Sequence, residues 1–146
     1  MPEVQPQFFQ GPLLVTVAYL ATYYAFMGRL LATKNRLGAE AAQAGERFDR
    51  YESKDPRLRA ADRSVGNMLE QMPPFLCLLW LDAVFVSVPG ATLLGAIYVC
   101  SRIAYPFLVG PRLGRGIPAR VLLSTVTGYV VLLAFGARIA WQVLKP

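Results

Sequence analysis

The chain has 146 residues, 55% of them apolar and only 16% charged, with a mean hydropathy of +0.39 and a net charge of +6. That composition excludes an ordinary soluble domain, whose core must be wrapped by many polar residues. Histidine is absent, which removes the usual general base, the commonest metal ligand and any Ser/His/Asp or Cys/His arrangement.

The pattern predicts one integral membrane domain over residues 1–146: an all-α bundle of four transmembrane helices at about 11–32, 56–88, 91–109 and 118–144. The segment before the first helix, MPEVQPQFFQ, is acidic and lacks the positive region of a signal peptide, so the first span is expected to remain in the mature protein. On that span Tyr19, Tyr23 and Tyr24 read as packing and interface residues. The link at 33–55 is basic, with Lys34, Arg36, Arg47, Arg50 and Lys54 among acidic residues, and its stretch 39–52 has a helix-forming but mixed-charge composition that suits either a surface helical extension or a mobile segment.

Asp55 and Pro56 supply a cap and a first-position proline for the second helix, and Pro73 and Pro74 are expected to kink it. Arg63, Asn67 and Glu70 stand at i, i+4 and i+7, on one face, just before the apolar run from Met72. Pro89 and Gly90 are expected to form a two-residue turn, making helices two and three antiparallel neighbours. On helix three Tyr98, Arg102 and Tyr105 repeat the i, i+4, i+7 spacing, with Pro106 near its end. Cys77 and Cys100 fall within spans and read as small buried packers.

The link at 110–117 carries Arg112 and Arg115, Pro118 fits the first turn of helix four, and Arg120 lies in that same turn. A cation there opposes the helix dipole; a guanidinium at a helix N-terminus suits an anion or a thiolate, while by itself it reads as an interfacial arginine on lipid phosphates. Asp82 and Arg138 match in depth and form a candidate interhelical ion pair. Both basic links fall on one side, which the positive-inside rule makes cytoplasmic, with both termini opposite. This topology and the attraction of anionic lipids account for the net charge, without a nucleic-acid partner.

Ionisable residues at membrane depth face a bundle interior, pair, or line a wet cavity. Each polar stripe alone is explained equally well by structural ion pairs, Arg63 with Glu70 or Glu70 with Arg102; two at one level point to a polar pocket. No phosphate-binding glycine loop, metal-ligand cluster or internal repeat is present in the sequence.

The segments DRSVGNMLEQMPPF and GAIYVCSRIAYPF resemble the membrane-associated proteins in eicosanoid and glutathione metabolism, the MAPEG family, in its microsomal glutathione transferase-like members. Arg63, Asn67, Glu70 and Pro73 match the family's helix-two pattern, and Arg102 with Tyr105 its helix-three pair; Val65, Gly66 and Val109 depart from it. The resemblance implies a homotrimer that binds glutathione as co-substrate between subunits near the cytoplasmic face. Arg63, Asn67, Glu70, Tyr98, Arg102 and Tyr105 would then hold the tripeptide, with a basic residue at the end of helix one, Lys34 or Arg36. The thiolate-stabilising arginine is most like Arg120 within RGIPAR, with Arg112 and Arg115 nearby. The implied activity is that of a glutathione-dependent transferase or peroxidase acting on a lipophilic electrophile. The alternative is a non-enzymatic lipid- or partner-binding trimer of the same fold.

Overall fold

A computed structural model of the chain describes residues 6–114, 116 and 118–145. A short 3-10 turn, Pro6–Phe9, leads into four helices: α1 (Gln10–Gln43), α2 (Pro56–Phe85), α3 (Val88–Val109) and α4 (Val121–Leu144). All four are long and apolar enough to cross a membrane, and the described residues contain no strand. Large apolar side chains stand outward, Phe107 at 77% and Leu133 at 73% exposure among them, which water would not tolerate over such an area and lipid does.

Helix α1 extends well past the expected end at 32. Its 34 residues reach about 51 Å, so its last turns project beyond a hydrocarbon core of about 30 Å. The extension holds because its residues are good helix formers, Arg36 pairs with Glu40 at 3.0 Å, and Leu37 packs with Leu58, Ala61 and Val65 of α2. It stops at Gly45, whose φ of 70° admits the closing bonds Gly45 N–H to Ala42 O and Glu46 N–H to Ala41 O, a Schellman cap.

Asp55 caps α2, its carboxylate accepting the Arg57 amide at 2.7 Å with Pro56 at the helix start. Pro73 and Pro74 stay inside α2, which runs unbroken to Phe85 rather than 88. The expected Pro89–Gly90 turn is corrected: the link is Val86 and Ser87, and Pro89 and Gly90 lie in the first turn of α3. The reason is Ser87, whose hydroxyl accepts the Gly90 amide at 3.3 Å while proline needs no donor at that position. Helix α4 likewise begins at Val121, not 118. Pro118, Ala119 and Arg120 form the preceding tight turn, with the Val121 amide on the Pro118 carbonyl at 2.9 Å.

Helices α2 and α3 each pack against both α1 and α4. The central core stacks Phe75 on Tyr98, ring centroids 4.1 Å apart and planes 10° apart, with Tyr19, Leu79 and Phe135 around them. Tyr19 donates its hydroxyl to the Met68 carbonyl at 2.6 Å. Away from the basic links, Arg138 of α4 grips the fully buried Asp82 of α2 through Nε (3.0 Å) and Nη2 (3.3 Å), the pair expected from depth. Cys77 and Cys100 are free and exposed on the bundle surface, a correction to their expected burial; a thiol is apolar enough to face lipid.

Candidate functional site

At the end of the bundle that holds both basic links, the Leu113 amide bonds the Pro56 carbonyl at 2.9 Å, tying the α3–α4 link to the start of α2. Just inside that end, α2 and α4 diverge around a cavity of about 400 Å³. Arg63, Asn67 and Glu70 of α2 line one wall, Tyr105 of α3 the floor, and residues 118, 119, 121, 122, 125 and 129 the wall from α4 and its approach. The sequence spacing is what places the three α2 side chains on one stripe, and α4 covers that stripe only in part.

Within the cavity Arg63 Nη1 lies 3.5 Å from Glu70 Oε1, both side chains being about half exposed. Arg63 Nε is buried and has no hydrogen-bond partner among the described residues. Arg102 behaves differently. It is 2% exposed, and its Nη1 donates to Asn67 Oδ1 at 2.6 Å while Nη2 donates to the Ser124 carbonyl. The Ser124 hydroxyl in turn donates to the Ser101 carbonyl at 2.5 Å. Arg102 Nε donates to the Ser101 hydroxyl at 3.3 Å, and the rings of Tyr98 and Tyr105 lie 5.1 and 5.9 Å from the guanidinium carbon, so a buried cation is held by carbonyl and hydroxyl oxygens and π faces, with no carboxylate partner among the described residues. Its seat depends on Gly128, where a Cβ would meet the guanidinium.

The sequence candidates therefore divide. Arg63, Asn67, Glu70 and Tyr105 come together at the cavity, and Arg102 supports Asn67 from behind. Tyr98 is fully buried under this group, stacked on Phe75, with a hydroxyl lacking a partner among the described residues. Arg120 does not line the cavity, although its neighbours Ala119 and Val121 do. Its Nε donates to the Leu108 carbonyl at 2.6 Å, so its charge sits against the last turn of α3, where carbonyls lack helical donors. Lys34 lies over the Tyr51 ring and Arg36 pairs with Glu40, and neither lines the cavity. Arg112 lines a separate basic groove with Arg29, Arg36 and Arg57. Arg115 lies outside the described residues.

Sequence reasoning missed Tyr129, which lines the cavity and accepts a hydrogen bond from Gln71 Nε2 at 3.3 Å, and missed Ser124 and Gly128 as the seat of Arg102. Val109, which departs from the resembled pattern, is buried against Tyr105 and Leu113.

With this polar stripe, its buried arginine and the four spans in view, the comparison with known families is decisive: the MAPEG family model matches residues 12–141. The chain belongs to the MAPEG family. That family includes glutathione transferases and related enzymes, and its membership makes this chain an integral, multi-pass membrane protein with a function in the glutathione or eicosanoid field. No curated protein and no solved structure matches the chain.

Proposed function

We propose that this MAPEG protein is a glutathione-dependent transferase or peroxidase acting on a lipophilic electrophile that enters from the membrane. One observation carries the reading: Arg63, Asn67, Glu70 and Tyr105 converge on a cavity of about 400 Å³ at the basic end of the bundle. Glutathione offers two carboxylates for Arg63 and an ammonium for Glu70, while the buried Arg102 fixes the Asn67 amide so that its NH2 group faces the ligand. The peptide brings the thiol nucleophile that a chain without histidine does not build from its own side chains.

The remaining basic candidates argue for a homotrimer with the tripeptide between subunits. Neither Lys34 nor Arg36 lines the cavity of its own subunit, so on this reading a neighbouring copy brings one of them to glutathione. Arg120, at the start of α4, is the candidate that holds the sulfur as thiolate, which requires its guanidinium to leave or share the Leu108 carbonyl.

The test is ultraviolet difference absorbance of the glutathione thiolate on the purified protein at neutral pH. A thiolate band at concentrations of about a millimolar or less is the expected result, with a loss of at least about ten-fold in conjugation for Arg120→Ala. No glutathione bound at that concentration overturns the reading.

A second reading is a non-enzymatic lipid- or partner-binding trimer of the same fold. It is favoured by the existing hydrogen bond of Arg120 to Leu108 and by the Arg63–Glu70 pair, which already engage these charges. On that reading Arg120→Ala leaves ligand binding unchanged while Glu70→Ala destabilises the assembly. Loss of conjugation in an intact Arg120→Ala protein counts against it.

A further inference from the structure

On the flank away from the α2–α4 cavity, α1 and α3 enclose one cavity, which meets a second formed by α1, Arg57 of α2 and the α3–α4 link. The first, about 620 Å³, is almost wholly apolar, with Phe26, Ile103, Pro106 and Phe107 among its lining residues; Phe107 and Ile103 are open to the surroundings. The second, about 490 Å³, is lined by Arg29, Arg36, Arg57 and Arg112 together with Thr33. Arg29 and Pro111 belong to both linings, so an apolar trough runs directly into a basic one.

Depth gives this order a meaning. Arg29 stands nineteen residues after Gln10, the start of α1, which at about 1.5 Å per residue is roughly 28 Å, where a hydrocarbon core of about 30 Å ends. The apolar trough, lined by Thr22, Ala25 and Phe26 of α1, lies up to two turns deeper, at acyl-chain level. The basic trough lies outside it, at headgroup level.

Charge then selects the occupant. Glu40 pairs with Arg36 at 3.0 Å and with Arg57 at 2.7 Å, and Asp55 pairs with Arg57 at 3.0 Å. Four guanidinium groups against these two carboxylates leave a local excess of two positive charges. Arg29 and Arg112 take part in no ion pair among the described residues. The carboxylates hold Arg36 and Arg57 in place as walls, while Arg29 and Arg112 line the trough with donors that no described residue engages.

We propose that this double trough is a binding site for one glycerophospholipid with an anionic headgroup. Its phosphate would sit between Arg29 and Arg112, and an acyl chain would lie along α1 and α3 against Phe26 and Phe107. The site is separate from the α2–α4 cavity of the same subunit and stands whether or not that cavity binds glutathione; where it does, the contact from a neighbouring copy falls to Lys34, because Glu40 holds Arg36 in the trough.

Native mass spectrometry of the detergent-solubilised protein tests this with phosphatidylglycerol, phosphatidylcholine of the same chains, and inorganic phosphate. The expected result is a saturable phosphatidylglycerol adduct of one per chain, favoured over phosphatidylcholine by roughly thirty-fold for two arginines at the headgroup. The Arg29→Gln/Arg112→Gln double variant loses that preference, while Arg47→Gln/Arg59→Gln, which removes the same charge outside the trough, keeps it. Equal binding of the two lipids by the wild-type protein overturns the proposal without recourse to any variant. So does equal loss in both double variants, which would mean general surface attraction, or displacement of the lipid by inorganic phosphate alone, which would mean a free-anion site. A change in the number of subunits per particle on removing the lipid adduct, with no headgroup preference, would assign the trough to a second copy of the chain and equally overturn it.

Discussion

At the scale of single residues, the buried Arg102 sets the geometry of the polar end, and its environment makes two predictions. Gly128→Ala should destabilise the protein although alanine is the better helix former by about 1 kcal/mol, because its Cβ meets the guanidinium and displaces it from Asn67 and Ser124. A net loss of about 1–3 kcal/mol is expected, read as a lower unfolding midpoint in detergent; an unchanged or raised midpoint would show that Arg102 has room to spare. Asn67→Ala should cost about 2–3 kcal/mol in the same measurement, because it removes one carbonyl oxygen from a buried cation that has no carboxylate partner among the described residues to replace it. The stripe that carries Asn67 and the stripe that carries Arg102 are both legible in the sequence, since each follows from helical spacing. That the two stripes share one level is legible as well; the particular bond of Arg102 to Asn67 and the seat of its guanidinium are not, because they depend on the register of α3 against α2 and α4, where a carbonyl at Ser124 and a missing side chain at Gly128 leave no mark in composition or periodicity. The same limit hid Tyr129, a lone aromatic in an apolar helix until α4 is laid beside α2.

At the scale of elements, the caps decide where the helices begin. Asp55 and Pro56 announce α2 because a carboxylate that accepts an amide and a proline that needs none are a local signal, independent of tertiary structure. The same chemistry explains the misplaced turn before α3: Ser87 is the cap, and Pro89 and Gly90 follow it as the first turn rather than standing between helices. The sequence leaves the length of α1 open between a helical extension and a mobile segment for another reason, since a helix leaving the membrane loses its apolar signature while Leu37 still packs on α2. Asp55 also bonds the Arg57 guanidinium, and the hydrogen bonds from Arg57 hold its carboxyl below the usual carboxylate range. A carboxyl with a lowered folded pKa stabilises the fold fully above its unfolded pKa, and this contribution fades as pH falls through that value toward the folded one. Asp55→Ala is therefore expected to cost about 1 kcal/mol at neutral pH and progressively less in acid, so that wild-type and variant midpoints converge. Unfolding midpoints across an acid series check this, and a difference that persists undiminished in strong acid would place the effect elsewhere than on the carboxylate.

For the whole molecule, the arrangement of charge makes the orientation in the membrane testable. Both basic links meet at one end: Arg47, Arg50 and Lys54 between α1 and α2, and Arg112 and Arg120 between α3 and α4, with Lys34 and Arg36 on the projecting turns of α1. At the opposite end the α2–α3 link is only Val86 and Ser87, and the basic residue nearest it beyond α4 is Lys145. Lys and Arg in short links are retained on the cytoplasmic side, so the candidate glutathione cavity and the basic trough should open toward the cytoplasm. The Asp82–Arg138 pair does not compete with this bias, because its two charges are matched across α2 and α4 and add nothing to the loops. With Cys77 and Cys100 replaced by alanine, a cysteine introduced as Glu46→Cys should react with a membrane-impermeant maleimide only in inside-out vesicles, and one introduced as Lys145→Cys only in right-side-out vesicles. Labelling in the reverse sense would put the polar end outside, away from the cytoplasmic glutathione it is proposed to bind. Labelling of both positions from one side would break the even number of crossings itself, since an even count is what leaves the α1–α2 link and the end of α4 on opposite faces.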